Sequence, residues 1–174
     1  MSEPSANPDP LGHPQALGEL LLYQLSVITR TSGLPMVRLF EGEFGMTRRH
    51  WHVLALVVEH GGLAASQLAA LCWLDRPQVS RAVAGLRGQG LVQHGPGPAR
   101  GRLVLATPAG QARYRQALAR VAQFNADLVA VLDTAERAQL QAMLQRLQAR
   151  VKTLAAEVAG LAPPARRSRG RTRA

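Results

Sequence analysis

The stretch from Leu63 to Thr107 constrains the fold more than any other part of the chain. Two short segments with helical apolar spacing, Ala65–Leu71 and one that opens at Asp75, flank the tight connection Leu74-Asp75. In the first, Leu68 and Leu71 are expected to face inward. In the second, Val79, Val83 and Leu86 form the expected buried seam. Asp75 can cap the second helix, and Pro77 falls in its first turn, where a missing N–H costs nothing. Gly90 ends the element. Leu91–His94 then reads as a short strand, Gly95–Gly101 is too rich in Gly and Pro for anything but a turn, and Arg102–Ala106 alternates as the return strand. Two helices about a tight turn, followed by a hairpin with a basic tip, make a winged helix-turn-helix. That arrangement seats the second helix in a DNA major groove with a wing beside it.

The outer surface of the second helix fits this reading. Gln78, Arg81 and Gly85 share an outward face, with Ser80 and Ala84 next to it. Arg76, Gln78, Ser80 and Arg81 open the candidate reading helix, and Arg87 lies further along it. Arginine and glutamine suit bidentate contacts to guanine and adenine edges, each worth ~1–3 kcal/mol of discrimination. The plainer alternative is a solvated helix face. Ser66 and Gln67 begin the preceding helix, where they either offer backbone N–H groups to a phosphate or simply cap. Arg100 and Arg102 are the wing candidates for phosphate contacts.

Charge distribution supports a polyanionic partner. The formal net charge is +10, and from Arg76 to Ala126 there are eight arginines and no Asp or Glu. Five more arginines (166, 167, 169, 171 and 173) crowd the C-terminal tail, which could add nonspecific DNA affinity or only solubility.

The flanks read as helices. Residues 1–15, with four prolines and no basic stretch before an apolar core, are expected to be a disordered arm and no secretory signal. Residues 16–45 are read as N-terminal dimerisation helices. Leu21, Leu22, Leu25 and Ile28 share a side, Thr31–Pro35 interrupts, Pro35 opens a second piece over Met36–Phe44, and Gly45 ends it. Residues 46–107 form the DNA-binding lobe. It opens with a helix over Arg48–His60 that Thr47 caps and that carries an expected core stripe of Trp51, Leu54, Ala55 and Val58.

Residues 108–161 are read as C-terminal dimerisation helices. Pro108 opens a helix to about Leu132 with a seam of Tyr114, Leu118, Val121, Asn125, Leu128 and Leu132. Asp133–Glu136 is a capping-box start. The final helix carries Leu140, Leu144, Leu147, Val151, Leu154, Val158 and Leu161 at alternating 4,3 spacing, an a/d seam. Such a seam packs either on the preceding helix or on a second subunit. Residues 162–174 are the basic tail. Leu21, Leu25, Leu144, Leu147, Val151, Leu154 and Val158 are the residues expected at a homodimer contact.

Several function classes are excluded at this level. No apolar run approaches the ~18 residues of a membrane span. Cys72 is the only cysteine, so neither an intrachain disulfide nor a Cys-rich metal site is possible, in keeping with a reducing cytoplasm. Cys72 itself reads either as a peroxide sensor or as a small buried hydrophobe. His50 and His52, two apart on a helix, point apart and cannot share an ion. There is no nucleophile with a base, no phosphate loop, no carboxylate pair and no cofactor motif, so no enzyme, metal or cofactor is expected.

The chain resembles the MarR family of bacterial transcription regulators over about residues 16–160. The residues that carry the resemblance are Met46-Thr-Arg-Arg-His-Trp-His-Val-Leu, Gln67-Leu-Ala-Ala-Leu, Asp75-Arg-Pro-Gln-Val-Ser-Arg-Ala-Val-Ala-Gly-Leu, Gly90-Leu-Val and Leu103-Val-Leu-Ala-Thr-Pro-Ala-Gly110. The resemblance implies a mostly α-helical chain with a winged helix-turn-helix, a two- or three-stranded wing, and terminal dimerisation helices. It implies a cytoplasmic, nucleoid-associated homodimer that binds a pseudo-palindromic double-stranded operator. A small phenolic or carboxylate effector would release a repressor from that operator, with Arg38, Arg49, His50 and Trp51 near the effector. One departure concerns the wing: the family's Asp-Arg tip falls here on Pro98 and Ala99, which leaves Arg100 and Arg102 to substitute. The rival readings are an architectural DNA-binding protein without effector and a helical adaptor. The acid-free span argues against the adaptor.

Overall fold

The computed structural model describes residues 7–97 and 102–159. The chain divides into two compact units, residues 1–122 and 123–174.

The first unit begins with hydrogen-bonded turns where a loose arm is expected. The Asn7 side-chain amide donates to the His13 carbonyl (2.9 Å) and to Glu19 Oε2 (3.0 Å), and the Gly12 N–H donates to Asp9 Oδ1 (3.0 Å). A 3-10 turn, Leu17–Glu19, leads into α1 (Leu21–Thr31), α2 (Gly33–Val37) and a π-helical segment, Arg38–Glu43. The interruption expected over residues 31–35 shrinks to Ser32, whose φ/ψ of −73°/−7° remains right-handed. Pro35 lies third in α2, where the backbone N–H has no intrahelical partner to lose.

Thr47 caps α3 (Arg48–Glu59), its hydroxyl accepting the His50 N–H at 3.1 Å. The buried residues of α3 are Val53, Leu54, Ala55 and Val57, whereas Trp51 and Val58 are only half-buried, so the expected stripe is rotated. The reason is that α3 packs against α4, α5 and β3 together, and a helix enclosed on several sides buries a wider arc than one stripe. Gly61 and Gly62 (φ 68° and 124°) end α3 in conformations that side chains rarely adopt.

The strand β1 (Leu63–Ala64) precedes α4 (Ala65–Cys72) and α5 (Arg76–Gly88), and β2 (Val92–Pro96) and β3 (Arg102–Ala106) form the hairpin. The sheet has the order β1-β3-β2, all antiparallel, with Leu63 opposite Val104 and Val92 opposite Ala106. The core joins Leu54 and Val57 of α3 to Leu68, Val79, Val83, Leu86, Leu91 and Val104.

Thr107 fastens the base of the wing to α6 (Pro108–Val129): its hydroxyl donates to the Gly90 carbonyl (2.7 Å) and accepts the Gly110 N–H (3.0 Å). Gly110 lies so close to Leu91 that a Cβ there would run into the Leu91 carbonyl oxygen. The buried residues of α6 are Gly110 and Ala117. Leu118 and Leu128 of the expected seam are exposed.

In the second unit, Asp133 caps α7 (Thr134–Ala159) reciprocally. Its carboxylate accepts the Glu136 N–H (2.9 Å), and its own N–H donates to Glu136 Oε2 (2.8 Å). Leu144 is half-buried, but Leu140, Leu147, Val151, Leu154 and Val158 are 37–60% exposed, so most of the described seam lies at the surface. Leu161 and the arginine tail lie outside the described residues.

Candidate nucleic-acid interface

The N-terminus of α5 is held by a capping box. Asp75 Oδ1 accepts the Gln78 N–H at 2.7 Å, and Gln78 Oε1 accepts the Asp75 N–H at 3.4 Å. Val79, Ala82, Val83 and Leu86 turn into the core, which leaves Arg76, Ser80, Arg81 and Arg87 exposed and Gln78 half-buried beside them. The result is a rigid helix with a polar, basic outer surface.

Gly85, expected on that outward face, is covered instead. The His50 imidazole lies against it, and a Cβ at Gly85 would stand 2.7 Å from His50 Nε2. The Nδ1 of His50 is buried with no hydrogen-bond partner. Burial, and after it the charge of Arg49, hold the His50 pKa below the usual histidine range, so the ring is neutral at physiological pH.

On α4, Gln67 turns back to accept the Ala64 N–H at 2.8 Å, so its side chain serves the helix start, and Ser66 is exposed. Leu71, expected to face in, is 41% exposed, and Cys72 takes the buried place in the core. Burial pushes the Cys72 thiol pKa up, which keeps it protonated and favours the small-hydrophobe reading.

Trp73 follows in the left-handed region (φ 56°, ψ 39°) and is 92% exposed. The N–H groups of Trp73 and Leu74 both reach the Ala69 carbonyl, so α4 ends in a left-handed cap whose left-handed position holds tryptophan where glycine is usual. That conformation costs a residue with a Cβ roughly 1–2 kcal/mol.

In the wing, Arg102 is exposed opposite Pro96, and the tip with Pro98, Ala99 and Arg100 lies outside the described residues.

Two of the eight arginines in the acid-free span do structural work. Arg113 Nη1 donates to the Phe44 carbonyl at 2.6 Å, and Arg120 donates through Nε and Nη2 to the Glu43 carboxylate at 3.0 and 2.9 Å. The Arg120 hydrogen bond lowers the Glu43 pKa and raises that of Arg120. The signal was in the spacing: residues 113 and 120 share a helix face with the buried Gly110 and Ala117.

Arg38 and Arg49 are exposed, His50 turns to α5, and Trp51 stacks on Phe40 and Tyr114, with centroids 5.4 Å away in each case. The Tyr114 hydroxyl donates to Glu59 Oε1 at 2.7 Å, which raises its pKa. Trp51 therefore already has two aromatic partners within the fold. Of the candidate dimer residues in the first unit, Leu21 is half-buried and Leu25 exposed. Among the described residues no group of three or more His, Cys, Asp or Glu could hold a metal ion, and no helix is long and apolar enough to cross a membrane.

A sequence model of the MarR family matches residues 44–103, the capped α3 through the start of β3. A MarR family transcriptional regulator from Silicibacter pomeroyi is 26% identical with a TM-score of 0.71, over 83% of this chain and 95% of that one. A probable transcriptional regulator from Pseudomonas aeruginosa is 30% identical with a TM-score of 0.59, over 74% and 99%. CouR from Rhodococcus jostii RHA1, solved with p-coumaroyl-CoA bound, is 26% identical with a TM-score of 0.67, over 76% and 94%. No curated protein sequence matches the chain significantly.

Proposed function

The chain belongs to the MarR family of transcriptional regulators, and on that footing we propose that it is a homodimeric, sequence-specific repressor of double-stranded DNA, released by a small aromatic or carboxylate effector. The observation that carries the reading is the surface of α5: Arg76, Gln78, Ser80 and Arg81 stand on a helix that is capped at one end and seated in the core along the other side. Arg76 and Arg81 supply forked donors for guanine edges, and Gln78 an amide for adenine. Arg87, Arg102 and Arg100 supply backbone contacts that set affinity and salt dependence.

One reading helix covers only half a site. The a/d seam of α7, the half-buried Leu144 with the exposed Leu147, Val151, Leu154 and Val158, joins a second copy, with Leu21 and Leu25 contributing from α1. The dimer sets the two α5 helices about 34–36 Å apart, one turn of DNA, on a pseudo-palindromic operator. An effector represses binding only if it prefers a dimer geometry in which that spacing is lost. The p-coumaroyl-CoA held by CouR supports an aromatic, anionic effector class, and the exposed Arg38 and Arg49 suit its charged end. The chemistry belongs to the cytoplasm, where the DNA is.

The test is binding to the intergenic duplex upstream of the protein's own gene against random duplex of equal length. The expected result is a preference of ~10³-fold or more, lost in Arg81→Ala. Equal affinity for both duplexes, or an Arg81→Ala variant that binds as the parent does, overturns the reading.

A further inference from the structure

Trp73 is the most exposed large hydrophobic side chain among the described residues, and it is not loosely attached. On one side its backbone is locked by the hydrogen bonds of the Trp73 and Leu74 N–H groups to the Ala69 carbonyl. On the other, Leu74 is half-buried against the core and Asp75 begins the capping box of α5. The indole is therefore presented from a fixed turn, in a backbone conformation that tryptophan disfavours and that glycine would take without strain. Among the described residues the indole is almost wholly exposed and stacks on no other ring, so its own packing does little to offset that cost.

The surroundings identify what does. Three residues on is Arg76, and Arg81 is exposed one and a half turns further along α5. The acid two residues on, Asp75, has its carboxylate engaged by the Gln78 N–H. From Arg76 to Ala126 no other acid occurs. An indole offers a flat apolar face and one N–H donor with no acceptor. That combination complements a deoxyribose ring next to a phosphate oxygen.

We propose that Trp73 is a DNA-backbone contact: the indole packs on a sugar at the edge of the groove that α5 enters, and Nε1–H donates to the adjacent phosphate. The inference rests on the DNA-binding reading given above. It assigns Trp73 to positioning the reading helix and not to reading bases.

The test uses full-length protein with Trp73→Ala, Trp73→Phe and Arg81→Ala variants, whose folding is checked by thermal melting. Each is titrated with the upstream duplex and with random duplex over a range of salt. Trp73→Ala is expected to lower affinity about tenfold, about 1.4 kcal/mol, for both duplexes alike. The salt slope stays unchanged, because an indole displaces no counterion. Trp73→Phe, which keeps a ring but not the donor, recovers part of the loss. In the parent protein, whose other tryptophan is half-buried, the acrylamide-accessible share of emission falls on saturating DNA.

If Trp73→Ala binds as the parent does and the accessible share is unchanged, while Arg81→Ala still loses affinity, the Trp73 contact is overturned and the DNA reading survives. If neither variant loses affinity, both fall. Protection of the indole that grows with protein concentration in the absence of DNA also overturns the proposal and assigns Trp73 to a protein contact.

Discussion

Arg113→Ala separates the arginines that hold the fold from those that face a partner. Arg113 Nη1 donates to the Phe44 carbonyl at 2.6 Å from a half-buried side chain, and Phe44 leads directly into the turn before α3. A hydrogen bond from a charged group contributes roughly 1.5–3 kcal/mol, and its removal leaves the carbonyl without this partner. At roughly 2–4 °C per kcal/mol for a chain of this size, the melting midpoint should fall by about 3–12 °C. Protomer concentration must be held constant, because dimerisation itself shifts the midpoint. DNA binding by the folded fraction should keep its salt slope, whereas Arg102→Ala should leave the midpoint within about 1 °C and reduce the slope by about 1. Both quantities come from one set of proteins, by thermal melting and by titration at 50–200 mM salt. An Arg113→Ala protein that melts like the parent and loses salt slope would refute the assignment, and with it the use of hydrogen-bond geometry to sort this basic surface.

Three further outcomes are expected. Gly110→Ala pushes a methyl group into the Leu91 carbonyl and should destabilise by about 1–3 kcal/mol or more, read as a lower urea midpoint; an unchanged midpoint would mean that α6 can shift away from the wing at no cost. Because burial lowers the His50 pKa in the folded state, the unfolded chain binds the extra proton first. The stability owed to the neutral ring is therefore complete above pH ~6.5 and lost as pH falls from there through the folded value; His50→Gln should flatten the decline in urea midpoint between pH 7.5 and 5.5, and a parallel decline in both proteins would contradict it. Leu147→Glu with Leu154→Glu should leave a monomer in sedimentation at micromolar concentration, since each buried leucine contributes roughly 1.5–3 kcal/mol and each change counts twice across a symmetric interface; a dimer of unchanged mass would show that α7 is not its interface.

What the sequence determined by itself is local and patterned. Thr47, Asp75, Thr107 and Asp133 announce helix starts because a short oxygen-bearing side chain before an apolar repeat has one favourable use, to accept an orphan N–H. The 3.6-residue repeat of Val79, Val83 and Leu86 likewise determines which side of α5 is buried, and so which residues it exposes. The order of helix, turn, helix and hairpin is legible for the same reason.

The tertiary structure decided everything that depends on a distant neighbour. Pattern alone chose Leu71 for the core and gave Trp51 a stripe, because hydrophobicity does not say which side of a helix meets another element. Packing buries Cys72, stacks Trp51 between rings from two other segments, and lays His50 over Gly85, contacts made across 11 to 63 positions of chain. Charge was ambiguous in the same way. A run of arginines without acids reads as one basic surface, yet Glu43 and the Phe44 carbonyl, 77 and 69 residues away from their partners, withdraw two of the eight into the fold. A hydrogen bond has a direction and a range of about 3 Å, and only coordinates show which long side chains fall within it.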